Sequence, residues 1–438
     1  MELGVLGLFI AVLILCLATG FSIVYALLFG FLLFFLFGLL KGSSAKVLLK
    51  ASLDSVKKVS TIIIVMLLIG ALTASWRASG TVALLVSYAS EVVTPQVCLF
   101  STFLLNALLS TLIGTSFGTA ATMGVVTMTM CVSMGVSPLW AGGAVLAGAF
   151  TGDRCSPVST SAQLVCLVTS TDLYKNMALM VKTGWLPFTV SSLIYLAVGL
   201  FSDTKSASVD ISSVLSREFV LNWYLLIPVF VMFGLVALKK DIKITIAASI
   251  AAASAVFMTV QGADWMSTAK MLVYGYQCRD AQAGSLMDGG GLVSMVQVSL
   301  IIMVSCTYAG LFEQTGLLKH IEGLVASLAA RSGKYTAIVF TAFLTAAISC
   351  NQMLAVILTE QLCKKIEPDR QKMAISLEDT AIVIPPLLPW SIAGAVPVAT
   401  IGAPQTCVVT ALFLFLLPIF GIIRHSFSRI SGSTSCRS

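Results

Sequence analysis

The sequence predicts an all-α, polytopic integral membrane protein. Hydrophobic residues make up 58% of the chain and charged residues only 10%, where a soluble domain carries about 25% charged residues. Apolar runs recur from one end to the other, and no polar block between them is large enough to fold separately. A single transmembrane domain over residues 1–438 is therefore expected.

Candidate spans fall at 3–19, 21–40, 59–75, 81–93, 97–113, 118–136, 138–150, 184–201, 219–238, 242–260, 292–311, 335–350, 380–400 and 404–423. The first apolar run lacks a basic leading segment and a second follows at once, which reads as two retained helices rather than a cleaved signal. A full crossing needs about 20 residues, so 81–93 and 138–150 read as half-helices, re-entrant segments or helices broken by glycine. Broken backbone at membrane depth survives only where protein or a water-filled cavity surrounds it. Short segments therefore point to a site.

The net charge of +7 is spread over loops, so it reads as topology information and not as a nucleic-acid footprint. Eleven cysteines stand singly, without a CxxC pair, and there are two histidines. That pattern fits small buried hydrophobes and offers neither a disulfide framework nor a metal-ligand set. His320 and His425 lie outside the polar breaks described below, and no nucleophile has a base beside it, so an enzyme is not expected. No cofactor is expected either. A passive channel would share the broken helices and acids; saturable, uphill exchange separates carrier from pore.

The chain resembles itself. Trp76-Arg77-Ala78-Ser79-Gly80 aligns on Phe312-Glu313-Gln314-Thr315-Gly316, a shift of 236 residues (316 minus 80), and Gly114-Thr115-Ser116 falls on Cys350-Asn351-Gln352 at the same shift. Lys41, Lys46, Lys50, Lys57 and Lys58 make the approach to the first copy basic, whereas 264–288 before the second is not. Further on the balance inverts: Lys364, Lys365, Arg370 and Lys372 have no charged counterpart at 128–137. Under the positive-inside rule this predicts two inverted-topology repeats, about 41–200 and about 261–423. The remaining basic stretches (Lys175 and Lys182; Lys239, Lys240 and Lys243; Arg424, Arg429 and Arg437) fit the same orientation. Both termini are then cytoplasmic, in a multi-pass protein of the cell (inner) membrane.

Two groups of residues carry chemistry. In the first copy Gly114-Thr115-Ser116-Phe117-Gly118-Thr119 and Gly152-Asp153-Arg154-Cys155-Ser156-Pro157-Val158-Ser159 set hydroxyls among helix breakers. Unwound carbonyls with Thr and Ser oxygens suit a dehydrated hard cation such as sodium. Gly114 and Gly118 also form GxxxG, which could do no more than let two helices touch. Asp153 is the sharper signal, because a carboxylate in the membrane costs roughly 2.5–3.5 kcal/mol and usually marks an ion or proton path. Its alternatives are a salt bridge to Arg154 or a helix cap before Pro157. In the second copy Asn351-Gln352 precede Glu378-Asp379-Thr380 and then Pro385-Pro386-Leu387-Leu388-Pro389-Trp390-Ser391. Prolines this dense break the helix. Acids just before such a break fit a coupling-ion site, against the plainer reading of a cytoplasmic acid pair near Lys372.

These stretches resemble the NhaC-type sodium/proton antiporter family over about 41–423, most clearly at 114–119, Gly152-Asp153 with Ser156-Pro157, Thr171-Asp172-Leu173, and Leu377-Glu378-Asp379 with Pro386-Leu387 and Pro389-Trp390. The resemblance implies a secondary transporter of two inverted repeats, sodium and proton coupling, an elevator-like movement, and members that exchange malate for lactate or carry other small solutes. The chain departs from the family at Asn351 and Thr160, where acids are usual, and at Pro385 and Ser391. Fewer acids shift weight toward an organic anion or amino acid as cargo, for which Arg154 and half-helix amino ends would hold the carboxylate. The combined expectation is a midplane site built from Thr115, Ser116, Thr119, Asp153, Ser156 and Ser159 with Asn351, Gln352, Glu378 and Asp379. Gly114, Gly118, Pro157, Pro386 and Pro389 break the helices around it. Sodium, protons and a small organic solute are the expected traffic, the lipid bilayer is the surrounding partner, and pairing of two copies is compatible with this reading.

Overall fold

The computed structural model describes residues 2–435 apart from 20, 59, 158, 203–210, 239, 281–282, 285–286 and 316–320. Among these the regular elements are all helices, with one isolated bridge between Tyr276 and Gly289 as the only β pairing. Gly316 of the self-alignment, His320, Val158 and Lys239 lie outside the described residues.

Two apolar helices, α1 (Glu2–Thr19) and α2 (Ile23–Leu40), lead into α3 (Ala45–Lys58). The lysines of α3 alternate with Val47, Leu48 and Leu53, the composition of a helix lying in the membrane interface. Helices α4 (Ser60–Ala78) and α5 (Thr81–Val92) then form an apolar pair bent by 65°, the geometry of a broken span or a re-entrant loop. The bend sits at Gly80, whose φ of +81° only glycine adopts without strain.

The centre of the molecule is built from two helical hairpins. In the first, α6 (Pro95–Ile113) runs antiparallel to α7 (Ser116–Ser133). Asn106 donates to Thr127 Oγ1 at 2.9 Å, and Cys98 Sγ lies 2.6 Å from Cys131 Sγ. In the second, α17 (Lys334–Ser349) pairs with α18 (Gln352–Cys363) through a 2.8 Å hydrogen bond between Thr345 and Thr359. The tips match. Gly114 and Cys350 both take left-handed backbone, at φ 73° and 54°. The next residues, Thr115 and Asn351, are extended N-caps at φ −149° and −137°. A non-glycine residue at positive φ is uncommon, so Cys350 holds its turn against local preference. Sequence periodicity places no helix at 352–363, because Gln352, Glu360 and Gln361 dilute the apolar signal; tertiary packing completes that arm.

Helix α8 (Pro138–Cys155) lies along α6. A side chain at Gly148 or Gly152 would collide with the backbone of Phe103, Ala107 or Thr111, so these two glycines, rather than Gly114 and Gly118, permit the close helix contact. At 18 residues α8 is longer than the predicted 138–150, and its last turn carries Asp153 and Arg154. After a break at Ser156 and Pro157 the chain continues in α9 (Thr160–Thr169) and α10 (Leu173–Phe201). The α10 helix starts eleven residues before the predicted 184 because Asp172 caps it, accepting from Lys175 N at 2.9 Å.

The rest of the chain forms α11 (Ile211–Glu218), α12 (Ile227–Ala237), α13 (Ile242–Thr259), α14 (Trp265–Tyr274), α15 (Val296–Thr315) and α16 (Ile321–Ser332) ahead of the second hairpin. Beyond it come α19 (Arg370–Glu378), α20 (Ile392–Ile401) and α21 (Leu412–Ser435). The predicted span 380–400 is helical only from Ile392. Its first part is a run of turns with a 3₁₀ turn at Pro385–Leu387, since the prolines remove donors and crowd the preceding carbonyls.

Candidate functional site

The tertiary structure gathers the buried acids where the broken helices meet. Asp153, in the last turn of α8, is 5% exposed. Its Oδ2 accepts from Ser116 Oγ at 3.1 Å, and its Oδ1 from Ser159 Oγ at 2.7 Å and Ser161 Oγ at 3.3 Å. Ser116 is the first residue of α7, and Ser159 is the N-cap of α9, its Oγ accepting from the amides of Ser161 and Ala162. Two helix N-termini thus converge on one carboxyl group, each bringing the positive end of its dipole. The breaks at Gly114 and Pro157 allow that convergence, because each ends one helix and frees the next to start at the acid.

Arg154 does not pair with its sequence neighbour. Its guanidinium is fully buried and Nη2 donates to Asp379 Oδ1 and, at 2.7 Å, to Thr183 Oγ1. Nη1 donates to Met180 O at 3.2 Å. The missing side chain of Gly184 leaves room for the head group. The salt bridge between Asp153 and Arg154 considered from sequence is therefore corrected, as is the reading of Glu378 and Asp379 as an exposed pair near Lys372. The two acids are 0% and 1% exposed. Asp379 Oδ1 also accepts from Thr183 at 3.0 Å, and Oδ2 lies 3.7 Å from Arg424 Nη2 on α21. Glu378 has no hydrogen-bond partner for either carboxyl oxygen among the described residues, and it lies within electrostatic reach of Arg154, Asp379 and Asp153.

Other predicted site residues serve the scaffold around this cluster. Thr115 caps α7, its Oγ1 accepting from Gly118 N at 3.4 Å, and Thr119 Oγ1 donates back to Thr115 O at 2.9 Å. Gly118 packs against the methyl group of Thr115. Asn351 caps α18 through Met353 N and Leu354 N. Gln352 Nε2 donates to Ile382 O at 2.9 Å, Ile392 N to Cys350 O at 2.9 Å, and Trp390 Nε1 to Ala347 O at 3.1 Å. Together these bonds bind the proline-rich turns, with Pro386 buried and Pro389 half-buried, to the second hairpin tip. Ser156 is buried at the end of α8 and Pro157 follows it half-buried.

Sequence reasoning missed Ser161, Thr183 and Arg424. Arg424 reads from sequence as one more tail cation, and nothing distinguishes Thr183 from any other threonine on an apolar helix. His425, set aside from sequence as remote from the polar breaks, stacks on Tyr335 with ring centroids 4.7 Å apart, beside a cavity that Arg424 also lines.

Chemically, one buried guanidinium faces two of the three buried carboxyls, Asp379 in contact and Glu378 within electrostatic reach, while Asp153 rests on serine hydroxyls and Arg424 stands half-exposed at the edge. Charges left uncompensated in such a place cost several kcal/mol each.

Comparison with known proteins agrees. A profile described as the Na+/H+ antiporter family matches residues 1–166 and 152–427. The chain is 26% identical over 429 residues to a malate-2H(+)/Na(+)-lactate antiporter of Bacillus subtilis, covering 95% of this chain and 91% of the relative. It is 26% identical over 389 residues to the Na(+)/H(+) antiporter NhaC of the same organism, covering 85% of each. An arginine/ornithine antiporter, ArcD, of Halobacterium salinarum is 24% identical over 375 residues, covering 82% of this chain and 77% of the relative.

Proposed function

Because the chain belongs to the Na+/H+ antiporter family, we propose that it exchanges sodium for protons at the buried cluster of Asp153, Glu378 and Asp379. One observation carries this reading: the two halves of the chain present acids in opposite states of solvation. Asp153 is surrounded by three serine hydroxyls, an oxygen-rich setting that suits sodium, a hard cation bound through oxygen ligands. Among the described residues Glu378 has no hydrogen-bond donor at either oxygen, so a bare charge there is stabilised by a proton or by a nearby cation. Protonation of Glu378 removes a negative charge that helps to hold sodium at Asp153, and sodium at Asp153 lowers the proton affinity of Glu378, so occupancy by one favours release of the other. Asp379, tied to Arg154 and Thr183, holds the guanidinium that keeps the cluster from binding two cations at once.

Inverted repeats are supported by the equal backbone turns at Gly114 and Cys350, followed by the extended caps Thr115 and Asn351, each 236 residues apart. With the basic loops inside, both termini are cytoplasmic, the first hairpin opens outward and the second inward in the cell membrane. An elevator-like movement of the two hairpins and the cluster against the remaining helices would expose the site alternately.

A second reading keeps this architecture and makes the cargo an organic anion coupled to sodium or protons. It is favoured by the coverage of the malate/lactate relative and by Arg154, whose carboxylate partner Asp379 a substrate carboxylate would replace. Purified protein in liposomes, with sodium, pH, malate, lactate and arginine varied together, distinguishes the two. Sodium-dependent proton flux without any organic solute supports the first; flux that requires a solute supports the second.

A further inference from the structure

We propose that Arg424 is a tethered cation occupying an entry site of the carboxyl cluster, and that a free monovalent cation reaches Asp379 by displacing it from the cavity in front. The inference rests on the reading of the cluster as a cation site and names the path to it. Asp379 is 1% exposed, and its two oxygens differ. Oδ1 is held by Arg154 and Thr183, whereas Oδ2 has no hydrogen-bond partner among the described residues. The Arg424 guanidinium faces Oδ2 at 3.7 Å, beyond hydrogen-bond distance. A buried anionic oxygen in that state is under-satisfied, and a cation that comes closer serves it better.

A cavity of about 320 Å³ lies in front of this pair, and both Arg424 and Thr183 line it. Thr183 also donates to Asp379 Oδ1 at 3.0 Å, so the cavity ends one side chain away from the acid. The Arg424 side chain is 47% exposed, and an ion pair with one partner in water is held weakly. Its backbone is held firmly. Tyr335 lies across that turn of α21, its hydroxyl where a side chain at Gly421 would collide with it and its ring stacked on His425 at 4.7 Å. Gly421 and His425 are one helical turn apart, with Arg424 between them, so α21 stays on α17 while the long side chain swings. The other cations on the cavity wall stand toward water: Lys182 is exposed, and Lys372, more than half exposed, pairs with Asp369 at 3.7 Å. Their fields at the entrance are screened. When a free cation replaces the tethered one the net charge of the cluster is unchanged, and no buried carboxylate is left bare.

The test compares the full-length protein with Arg424→Ala and Arg424→Lys in detergent. Guanidinium chloride at millimolar, non-denaturing concentration should raise the unfolding temperature of Arg424→Ala saturably, because a ligand of the folded state stabilises it. The parent should not respond, and tetramethylammonium chloride at equal ionic strength should move neither protein. In calorimetry sodium should bind Arg424→Ala about tenfold more tightly than the parent, since a tethered competitor acts at millimolar effective concentration. Arg424→Lys keeps the tethered charge and should return to the parent value; a merely structural role for Arg424 predicts no gain in affinity. No guanidinium effect, or an equal effect in the parent, overturns the site. Where the parent binds sodium, an affinity that Arg424→Ala does not improve also overturns it. Flux in liposomes is read separately: a parent protein that exchanges no sodium for protons sinks the transport reading, while guanidinium stabilisation of Arg424→Ala still reports the entry site.

Discussion

Arg154 and Asp379, 225 residues apart in the chain, form an ion pair in which neither side chain reaches solvent. The pair joins the last turn of α8 to the end of α19, and through Met180 and Thr183 it also ties in α10.

Replacing Arg154 with Ala leaves Asp379 and Glu378 buried without their guanidinium. Removing one partner of a buried ion pair costs about 3–5 kcal/mol, so the melting temperature in detergent should fall by several degrees. Adding Asp379→Asn to Arg154→Ala should recover part of the loss. A double variant no more stable than the sum of the single changes would mean that the pair is not coupled.

Asp153→Asn keeps the shape of the side chain and removes its charge, and sodium-dependent proton flux in liposomes should disappear. Ser159→Ala removes the shortest of the three hydroxyl contacts. It should weaken apparent sodium affinity by about tenfold, or roughly 1.4 kcal/mol. Undiminished flux in the Asn variant would remove Asp153 from the mechanism.

At Glu378 the expectation divides between stability and activity. Neutral Gln in place of an acid that has no hydrogen-bond partner among the described residues should leave the melting temperature unchanged or raise it, while proton coupling is lost. Simultaneous sodium and pH measurements check both halves, and a normal proton response to sodium gradients would sink the assignment.

The 2.6 Å approach of Cys98 and Cys131 predicts that oxidation by copper phenanthroline consumes these two thiols together and closes the arms of the first hairpin. Peptide mass spectrometry should find the 98–131 link. In Cys98→Ser, Cys131 should remain open to alkylation after denaturation. Two intact thiols in oxidised wild-type protein would contradict the antiparallel pairing of α6 and α7.

Cys278 lies between α14 and α15, outside the apolar spans. Burial, with Asp288 and Glu218 beside it, pushes its thiol up to about 12. Only the thiolate reacts, so at pH 8 on the order of one molecule in 10⁴ is reactive. Maleimide labelling should therefore be slow near neutrality and rise about tenfold per pH unit until the thiol titrates. Asp288→Asn removes one of the charges that oppose ionisation and should speed labelling at a fixed pH. Fast labelling at pH 7 would show that the segment leaves the thiol open to water.

The apolar character of the chain, the broken helices and the cost of the acids Asp153, Glu378 and Asp379, all of which the fold buries, were legible in the residues themselves. Charge is rare in lipid, proline and glycine have local consequences, and the same backbone turn recurs at Gly114 and Cys350. Helices α18 and α19 were not legible, because each mixes exposed polar residues (Gln361; Arg370 and Lys372) with buried ones (Gln352 and Thr359; Ser376 and Glu378), which breaks up the apolar signal. Nor was the partner of Arg154. Successive helical residues point in different directions, so Asp153 turns to the serines while Arg154 reaches α19 and α10.

What the sequence by itself determined is therefore composition, the positions of the breaks and which side chains are too costly to be incidental. These depend on local chemistry and on transfer to lipid, which act residue by residue. Only the tertiary structure decided which acid meets hydroxyls, which meets a guanidinium and which meets neither. That choice depends on where helices far apart in the chain cross, and it places three similar carboxyls in different surroundings.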